Sequence, residues 1–385
     1  MALSQEGPAG GGAQARRVAI VVGTRPELIK MMPVLLALRA RAEFRVSLVA
    51  TGQHRELSDQ ACAAFGVEPD LDLGVMKPGQ APAEAGARVL EAVGAVLARS
   101  RPDAVLVHGD TTTCLYAALA AFYARVPIGH VEAGLRTHDP AAPWPEEMNR
   151  RLTDPLCRWC FAPTPRAAAN LRAEGIPEQN VFVTGNTAVD ALRLALERVR
   201  AQPPEIPELP SGLLAGRRLV VVTLHRRESF GEPLRELCAA LREIAERERD
   251  VVIVYPVHPN PEVEGPVREL LGGEERIRLI RPLDHLQFVA LLERSTLIVT
   301  DSGGIQEEAP TLRKPVLVTR RTTERPEALE RGLACLVGTS RPRLVEEALR
   351  LLGDPAAREA MTATENPYGD GHAAERIAQA LAATI

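Results

Sequence analysis

Several clusters in this sequence bring together residue types that could move a proton beside a bound diphosphate. Gly23-Thr24-Arg25-Pro26-Glu27, with Lys30 one turn on, reads as a helix start whose backbone N–H groups and two cations can hold an anion. His108-Gly109-Asp110, His130-Val131-Glu132 and Pro145-Glu146-Glu147 supply carboxylates, and Asp110, Glu132 and Glu146 could each take or give a proton. In the second half, His225 stands among cations as a phosphate contact. Ser302-Gly303-Gly304 places glycines where backbone amides can approach a diphosphate. Glu308, one turn later, can accept from ribose hydroxyls, and Arg325 adds a cation near a turn. Each cluster also has an ordinary reading: Asp110 as a helix cap, His225 and Arg25 as solvated residues at helix starts, the glycine pair as a common turn. Acids and arginines crowded together are costly unless paired or used, so clusters that all follow apolar runs call for a common explanation.

Those apolar runs are the elements that must position the clusters. Val18–Val22, Val46–Ala50, Ala104–Val107 and Ile128–Val131 alternate with helical patterns at 26–39, 57–65 and 113–124. Leu219–Thr223, Val251–Tyr255, Ile277–Ile280, Leu297–Thr300 and Val316–Val318 repeat the alternation. Continuous apolar runs of this length fit strands buried on both faces, which predicts an α/β fold with parallel sheets. Between the two series, residues 201–212 carry Pro203, Pro204, Pro207 and Pro210, which suit neither a helix interior nor a central strand. The expected organisation is a tail at 1–15, a first domain at 16–200, a linker at 201–212, a second domain at 213–365 and a final helical segment at 366–385. Ligand would bind in the cleft where the carboxyl ends of both sets of strands meet.

The chain has 385 residues, enough for two domains, with 45% hydrophobic and 25% charged residues. Lys plus Arg is 46 and Asp plus Glu is 50, a net charge of -4, which shows no basic footprint for nucleic acid. Six scattered cysteines suit a reducing compartment, residues 1–15 lack the apolar core of a secretory signal, and no stretch is apolar enough for a membrane span. The expected location is the cytoplasm.

Some motifs nearly match. Gly369-Asp370-Gly371-His372-Ala373-Ala374 has a dinucleotide-fingerprint spelling but follows no strand, and no P-loop spelling occurs, so neither nicotinamide nor ATP hydrolysis is expected. His130-x-Glu132 followed by Cys157-x-x-Cys160 approaches the zinc deaminase signature, but Leu156 stands where that signature has proline.

Taken together, GTRPELIK (23–30), TGQH (51–54), VHGDTTT (107–113), HVEAGLRT (130–137), PWPEEMNR (143–150), TGNTAVD (184–190), HRRESFGEP (225–233), TDSGGIQEEAP (300–310), TTERPEALE (322–330) and NPYGDG (366–371) resemble the non-hydrolysing UDP-N-acetylglucosamine 2-epimerases, in that family's order and over nearly the whole chain. The resemblance implies two Rossmann-like domains facing a cleft, as in GT-B glycosyltransferases, with the last helix crossing back to the first domain. It implies reversible conversion of UDP-N-acetylglucosamine to UDP-N-acetylmannosamine by a cytoplasmic homodimer that needs no cofactor or metal and has no nucleic-acid or membrane partner.

The C2 proton of such a substrate is not next to a carbonyl, so simple enolisation cannot remove it. Elimination of UDP to a 2-acetamidoglucal, then re-addition after protonation from the other face, inverts C2. By the resemblance, Asp110, Glu132, Glu146 and His225 are catalytic, and Arg25, Lys30, Phe288, Ser302, Gly303, Gly304, Glu308 and Arg325 bind the nucleotide. Gln53, Arg226 and His258 match a second, activating site, where Glu56 and Gly79 depart from the pattern. A hinge at the proline-rich linker would close the lobes. The alternatives are a UDP-2,3-diacetamido-sugar 2-epimerase, a hydrolytic epimerase, a UDP-sugar glycosyltransferase, the zinc deaminase, and a nucleotide-sugar sensor, which would have no use for three acids.

Overall fold

A computed structural model describes residues 15–52, 62–75, 77, 79–210, 212–323 and 325–385. The chain forms two parallel sheets. Strands β1 (Arg16–Val22), β2 (Phe44–Ala50), β3 (Leu71–Asp72), β4 (Ala104–His108), β5 (Ile128–Val131), β6 (Trp159–Ala162) and β7 (Val181–Val183) make the first, in the order β3-β2-β1-β4-β5-β6-β7. Strands β8 (Arg218–Thr223), β9 (Val251–Pro256), β10 (Ile277–Ile280), β11 (Leu297–Thr300), β12 (Val316–Val318) and β13 (Ala334–Leu336) make the second, in the order β10-β9-β8-β11-β12-β13. This is the expected pair of Rossmann-like units.

The apolar runs lie inside because both faces of each sheet carry helices. Ile20, Val22 and Leu106 point to one side of the first sheet, and Val21, Val105 and Val107 to the other, all buried. Val220 and Val222, and on the opposite face Val221 and Val254, do the same in the second sheet. A fully buried Val, Leu or Ile contributes about 1.5–3 kcal/mol. Strands β3, β6, β7 and β13 are additional to the expected apolar runs; they are short, two to four residues long. The helical pattern at 57–65 falls mostly outside the described residues.

In both sheets the strand order reverses beside the central strand, between β1 and β4 and between β8 and β11. Such switch points open a crevice at the strands' carboxyl ends. The loops after β1, β4, β8 and β11 hold Arg25, Asp110, His225 and Ser302, so the topology aims four of the sequence clusters at two facing crevices.

The last helix, Ala373–Thr384, returns to the first sheet, as expected. Ile377, Ala378 and Leu381 pack with Leu28, Met31 and Leu35 of helix Arg25–Arg39. The Asp190 carboxylate accepts from the Ala373 and Ala374 N–H groups at 3.2 and 2.9 Å, capping the returning helix.

Helix Thr187–Ala201 touches both lobes: it packs on helix Arg25–Arg39 and on helices His285–Arg294 and Gly303–Leu312. Leu192, Ala195, Leu196 and Val199 share a cluster with Val289 and Ala290. The proline-rich segment after it is docked: Ile206 and Leu209 lie against the second core, and Gln287 Nε2 donates to the Glu205 carbonyl at 2.8 Å. Further contacts cross between the lobes, from Thr164 to Glu327 at 2.9 Å and from Arg166 to Glu330 at 2.6 Å.

Candidate active site

The loop after β1 is built around a buried carboxylate. Thr24 caps helix Arg25–Arg39, and Glu27 completes a capping box. Glu27 accepts from the Gly23 and Thr24 N–H groups at 3.0 and 2.6 Å and from the Thr111 hydroxyl at 2.6 Å. That last bond ties the Arg25 loop to the Asp110 loop. Burial pushes Glu27 up to about 7, with its hydrogen bonds opposing. Gly23 has no alternative here, since a Cβ would meet Thr113 Oγ1 at 2.1 Å.

Glu132 stands at the end of β5 with φ at 71°, the left-handed region that costs a non-glycine residue about 1–3 kcal/mol. Two bonds hold it there: its N–H donates to the Phe161 carbonyl at 3.1 Å, and its own carbonyl accepts from Arg150 at 2.7 Å. The strained backbone turns the side chain into a nest of charges. Lys30 pairs with Oε2, Arg150 donates to Oε1 at 2.8 Å, and Asn186 donates to Oε2 at 3.4 Å. Burial would raise this carboxyl, but the Lys30 ammonium and the Arg150 guanidinium outweigh it and hold it well below the usual carboxylate range. His108, 3.8 Å away, is pushed down to about 3 by burial and is neutral.

Asp110 accepts from the same arginine, Arg150, at 2.7 Å, and its carbonyl accepts from Asn149 at 2.8 Å. Asn149 and Arg150 sit on helix Glu146–Thr153. Glu146 opens that helix, and its buried Oε2 has no hydrogen-bond partner. Burial, then Asp110, raises its carboxyl above the ordinary glutamate range, with Arg226 and Arg150 opposing. The neighbouring Glu147 is structural: it accepts from the Thr137 and His138 N–H groups at 2.9 and 3.2 Å, stapling the intervening loop.

The second lobe faces this group. Asp301, fully buried, accepts from the His225 and Arg226 N–H groups at 2.9 Å each and so fixes the loop after β8. Burial lowers the His225 imidazole, opposed by Asp301, and its ring stacks on His258 at 5.8 Å. Ser302 begins helix Gly303–Leu312 and makes no side-chain cap, which leaves the first-turn N–H groups for an anion. The Arg325 guanidinium lies 3.1 Å from where a Gly303 Cβ would be, so glycine admits it. Glu307 binds Arg325 through Nε and NH2, each at 2.9 Å, and accepts from Lys30 at 2.9 Å. Burial raises Glu308 to about 7, with Glu307 adding and Lys30 and Arg25 opposing. Arg25 reaches the Leu283 carbonyl at 3.4 Å.

A cavity of about 200 Å³ lies between the lobes, lined by Asp110, Glu146 and Arg150 from one and Arg226 and Arg325 from the other. The structure thus gathers Asp110, Glu132, Lys30 and Arg325 in one ion network, places Glu146 and Arg226 on the adjoining cavity, and stacks His225 on His258. Arg25 and Glu308 form a second group in the same cleft. Phe288 is partly buried against the second core, and Gln53 lies outside the described residues. Arg150, Glu307, Asn186 and His108 complete the network without having been singled out as site residues.

The zinc spelling is taken apart by packing. His130 faces Asp154 at 2.6 Å through Nδ1 and the Gly109 carbonyl at 2.7 Å through Nε2. Cys157 and Cys160 donate to the Thr153 and Asp154 carbonyls. Among the described residues no group of three His, Cys, Asp or Glu side chains could hold a metal.

Known proteins resemble this chain in sequence and fold. A UDP-N-acetylglucosamine 2-epimerase of Salmonella typhimurium is 50% identical over 368 residues, covering 95% of this chain and 98% of that protein. The crystal structure of the Neisseria meningitidis UDP-GlcNAc 2-epimerase bound to UDP-GlcNAc superposes with a TM-score of 0.90 at 43% identity, covering 96% of this chain and all of that one. The glycotransferase of kitacinnamycin, at 16% identity and a TM-score of 0.66, shares the fold alone. The family model described as UDP-N-acetylglucosamine 2-epimerase matches residues 36–382, and the chain belongs to that family.

Proposed function

We propose that the chain reversibly inverts C2 of UDP-N-acetylglucosamine, giving UDP-N-acetylmannosamine, by eliminating UDP and adding it back. The observation that carries this reading is the cavity between the lobes, where Asp110, Glu146 and Arg150 face Arg226 and Arg325. The first lobe supplies the carboxylates and the second lobe faces them with cations, as suits a reaction that removes a proton from C2 while a diphosphate leaves C1.

In the forward direction a carboxylate takes the C2 proton, the C2–H electron pair becomes the C1–C2 double bond, and the C1–O pair leaves with UDP. In return a proton is delivered to the opposite face of C2 and a phosphate oxygen re-forms the bond to C1. No electrons are gained or lost overall, so no nicotinamide is called on. A proton-transferring group typically contributes about 10²- to 10⁴-fold. The remaining acceleration falls to donors toward the departing diphosphate, a role this reading gives to Arg25, His225 and the amides after Ser302. Phe288 would meet the uracil and Glu308 the ribose. Closure of the lobes keeps the glucal from escaping and water from trapping the sugar. In this reading the enzyme works as a homodimer in the cytoplasm; among the described residues no helix is long and apolar enough to cross a membrane.

The environments separate the acids. Glu132 stays ionised between two cations and stabilises charge, whereas Glu146, with an unpartnered buried oxygen and a raised carboxyl, is suited to carry the proton. A base must be ionised, so exchange falls as pH drops through the Glu146 value, which lies above the roughly 4.3 of a free glutamate. The pH profile of kcat is expected to show that acidic limb, and Glu146→Gln to remove it along with most of the rate. A limb unchanged in Glu146→Gln would move the proton carrier elsewhere.

Incubation with UDP-N-acetylglucosamine in D₂O tests the function itself. Proton NMR should show deuterium at C2 and both epimeric nucleotides without added NAD. Free N-acetylmannosamine accumulating with UDP would mark a hydrolytic enzyme instead, and an unchanged substrate would reject the reading.

A further inference from the structure

Opposite charges alternate without a break through both lobes. Arg325 pairs with Glu307, Glu307 with Lys30, Lys30 with Glu132, Glu132 with Arg150, and Arg150 with Asp110. This chain crosses from one lobe to the other at the 2.9 Å pair between Lys30 and Glu307. Glu307 is 1% exposed and spends both carboxylate oxygens here, Oε1 on Arg325 and Oε2 on Lys30. A carboxylate buried so fully is costly unless its partners are held in good geometry. Its neighbour Glu308 carries the nucleotide contact in the reading above, which leaves Glu307 without a role there.

We infer that Glu307 is a positioning residue that couples closure of the lobes to the placement of Lys30 on the catalytic carboxylate Glu132. Glu307 sits one turn into the helix that starts at Gly303, so a diphosphate docked on that helix start brings Glu307 with it. Once docked, Glu307 shares the Lys30 ammonium with Glu132. With the lobes apart, Lys30 keeps Glu132 as its partner and lies fully on it. Closure therefore sets how much positive charge faces Glu132, and Arg325, held by the other oxygen, is set in the same event.

This inference rests on the proposed epimerase activity, so wild-type exchange at C2 in D₂O is measured first; its absence refutes the activity and not the role of Glu307. Given exchange, the variants are Glu307→Gln, Lys30→Met and the two together. Loss of one charge-assisted hydrogen bond predicts a fall in kcat of about 10- to 100-fold for Glu307→Gln. The glutamine oxygen still accepts from Arg325, so the Kd for UDP should stay within about threefold by calorimetry, which also reports a folded site. If Glu307 acts through Lys30, the double variant is no slower than Lys30→Met alone, because the effects of groups in one network do not add. Exchange by Glu307→Gln within about twofold of wild type, or losses that multiply in the double variant, would overturn the inference. Should Glu307→Gln fold poorly, Glu307→Asp keeps the charge but falls one methylene short of Lys30; the same loss and non-additivity are expected, and a wild-type rate would contradict the role.

Discussion

Glu132→Gln is expected to slow C2 hydrogen exchange by about 10²- to 10⁴-fold, the span ordinarily lost with one essential acid–base or charge-stabilising group. The argument is geometric. The two carboxylate oxygens of Glu132 face different cations, Lys30 at Oε2 and Arg150 at Oε1. A glutamine offers one acceptor and one NH₂, so a donor must be turned toward either Lys30 or Arg150. The buried centre then gains a donor facing a cation and loses the negative charge that balances two positive ones. The strained backbone at this residue points the same way: a left-handed glutamate persists because Phe161 and Arg150 hold it, and that positions one carboxylate accurately. The rate of deuterium incorporation at C2 checks the expectation, and a Glu132→Gln enzyme within tenfold of wild type would refute it.

Arg150→Met is expected to cost both stability and activity. Arg150 is 5% exposed and its guanidinium serves Asp110, the Glu132 carboxylate and the Glu132 carbonyl. Methionine fills much of the volume but leaves the buried Glu132 and the part-exposed Asp110 near one another without the shared cation. Removing one partner of a buried pair typically costs about 3–5 kcal/mol. At about 2–4 °C per kcal/mol for a domain of this size, the first lobe should melt roughly 10 °C lower. The sign with pH follows from the acid now raised. Protonating one of the two carboxylates relieves the repulsion, so Arg150→Met should recover part of its stability as pH falls toward the carboxylate range, and lose it as pH rises. Burial lowers and the two acids raise the arginine's own value, which ends above the ordinary one, so wild type keeps this pairing at neutral pH. Thermal melts at several pH values read both effects. Equal midpoints for wild type and variant would show that the network is not what holds this part of the fold.

Much of the fold was legible because parallel strands buried on both faces are written as uninterrupted apolar runs. Val18–Val22, Ala104–Val107 and Leu297–Thr300 each fall within observed strands, β1, β4 and β11. Strand β6 was harder: Trp159-Cys160-Phe161-Ala162 is a short run that also spells half of a metal motif. What separates the two readings is the carbonyl each thiol meets, and that is a tertiary fact.

The site divided in the same way. Asp110, Glu132, His225 and Ser302 follow strands, where open sheets present ligands, so their position alone marked them. Arg150 and Glu307 lie inside helices, and in sequence they read as ordinary surface charges. Arg150 follows Glu146 by four residues, the spacing of a solvated helix pair, yet its guanidinium turns inward to Glu132 and Asp110. Glu307-Glu308 is a doublet in which sequence alone does not say which carboxylate meets Lys30. The helical period offers a partial signal, since Gly303, Gln306, Glu307 and Pro310 lie along the buried face.

The central claim is that UDP leaves and returns while C2 loses and regains its hydrogen. UDP-N-acetylglucosamine carrying ¹⁸O in the bond between C1 and the β-phosphate, incubated with the enzyme in D₂O, tests both events at once. If the C1–O bond breaks, the β-phosphate of the departed UDP turns, and phosphorus NMR will show ¹⁸O moved into non-bridging positions while proton NMR shows deuterium at C2 of both epimers. Deuterium at C2 with ¹⁸O still wholly in the bridge would contradict the elimination and require a route that never breaks that bond.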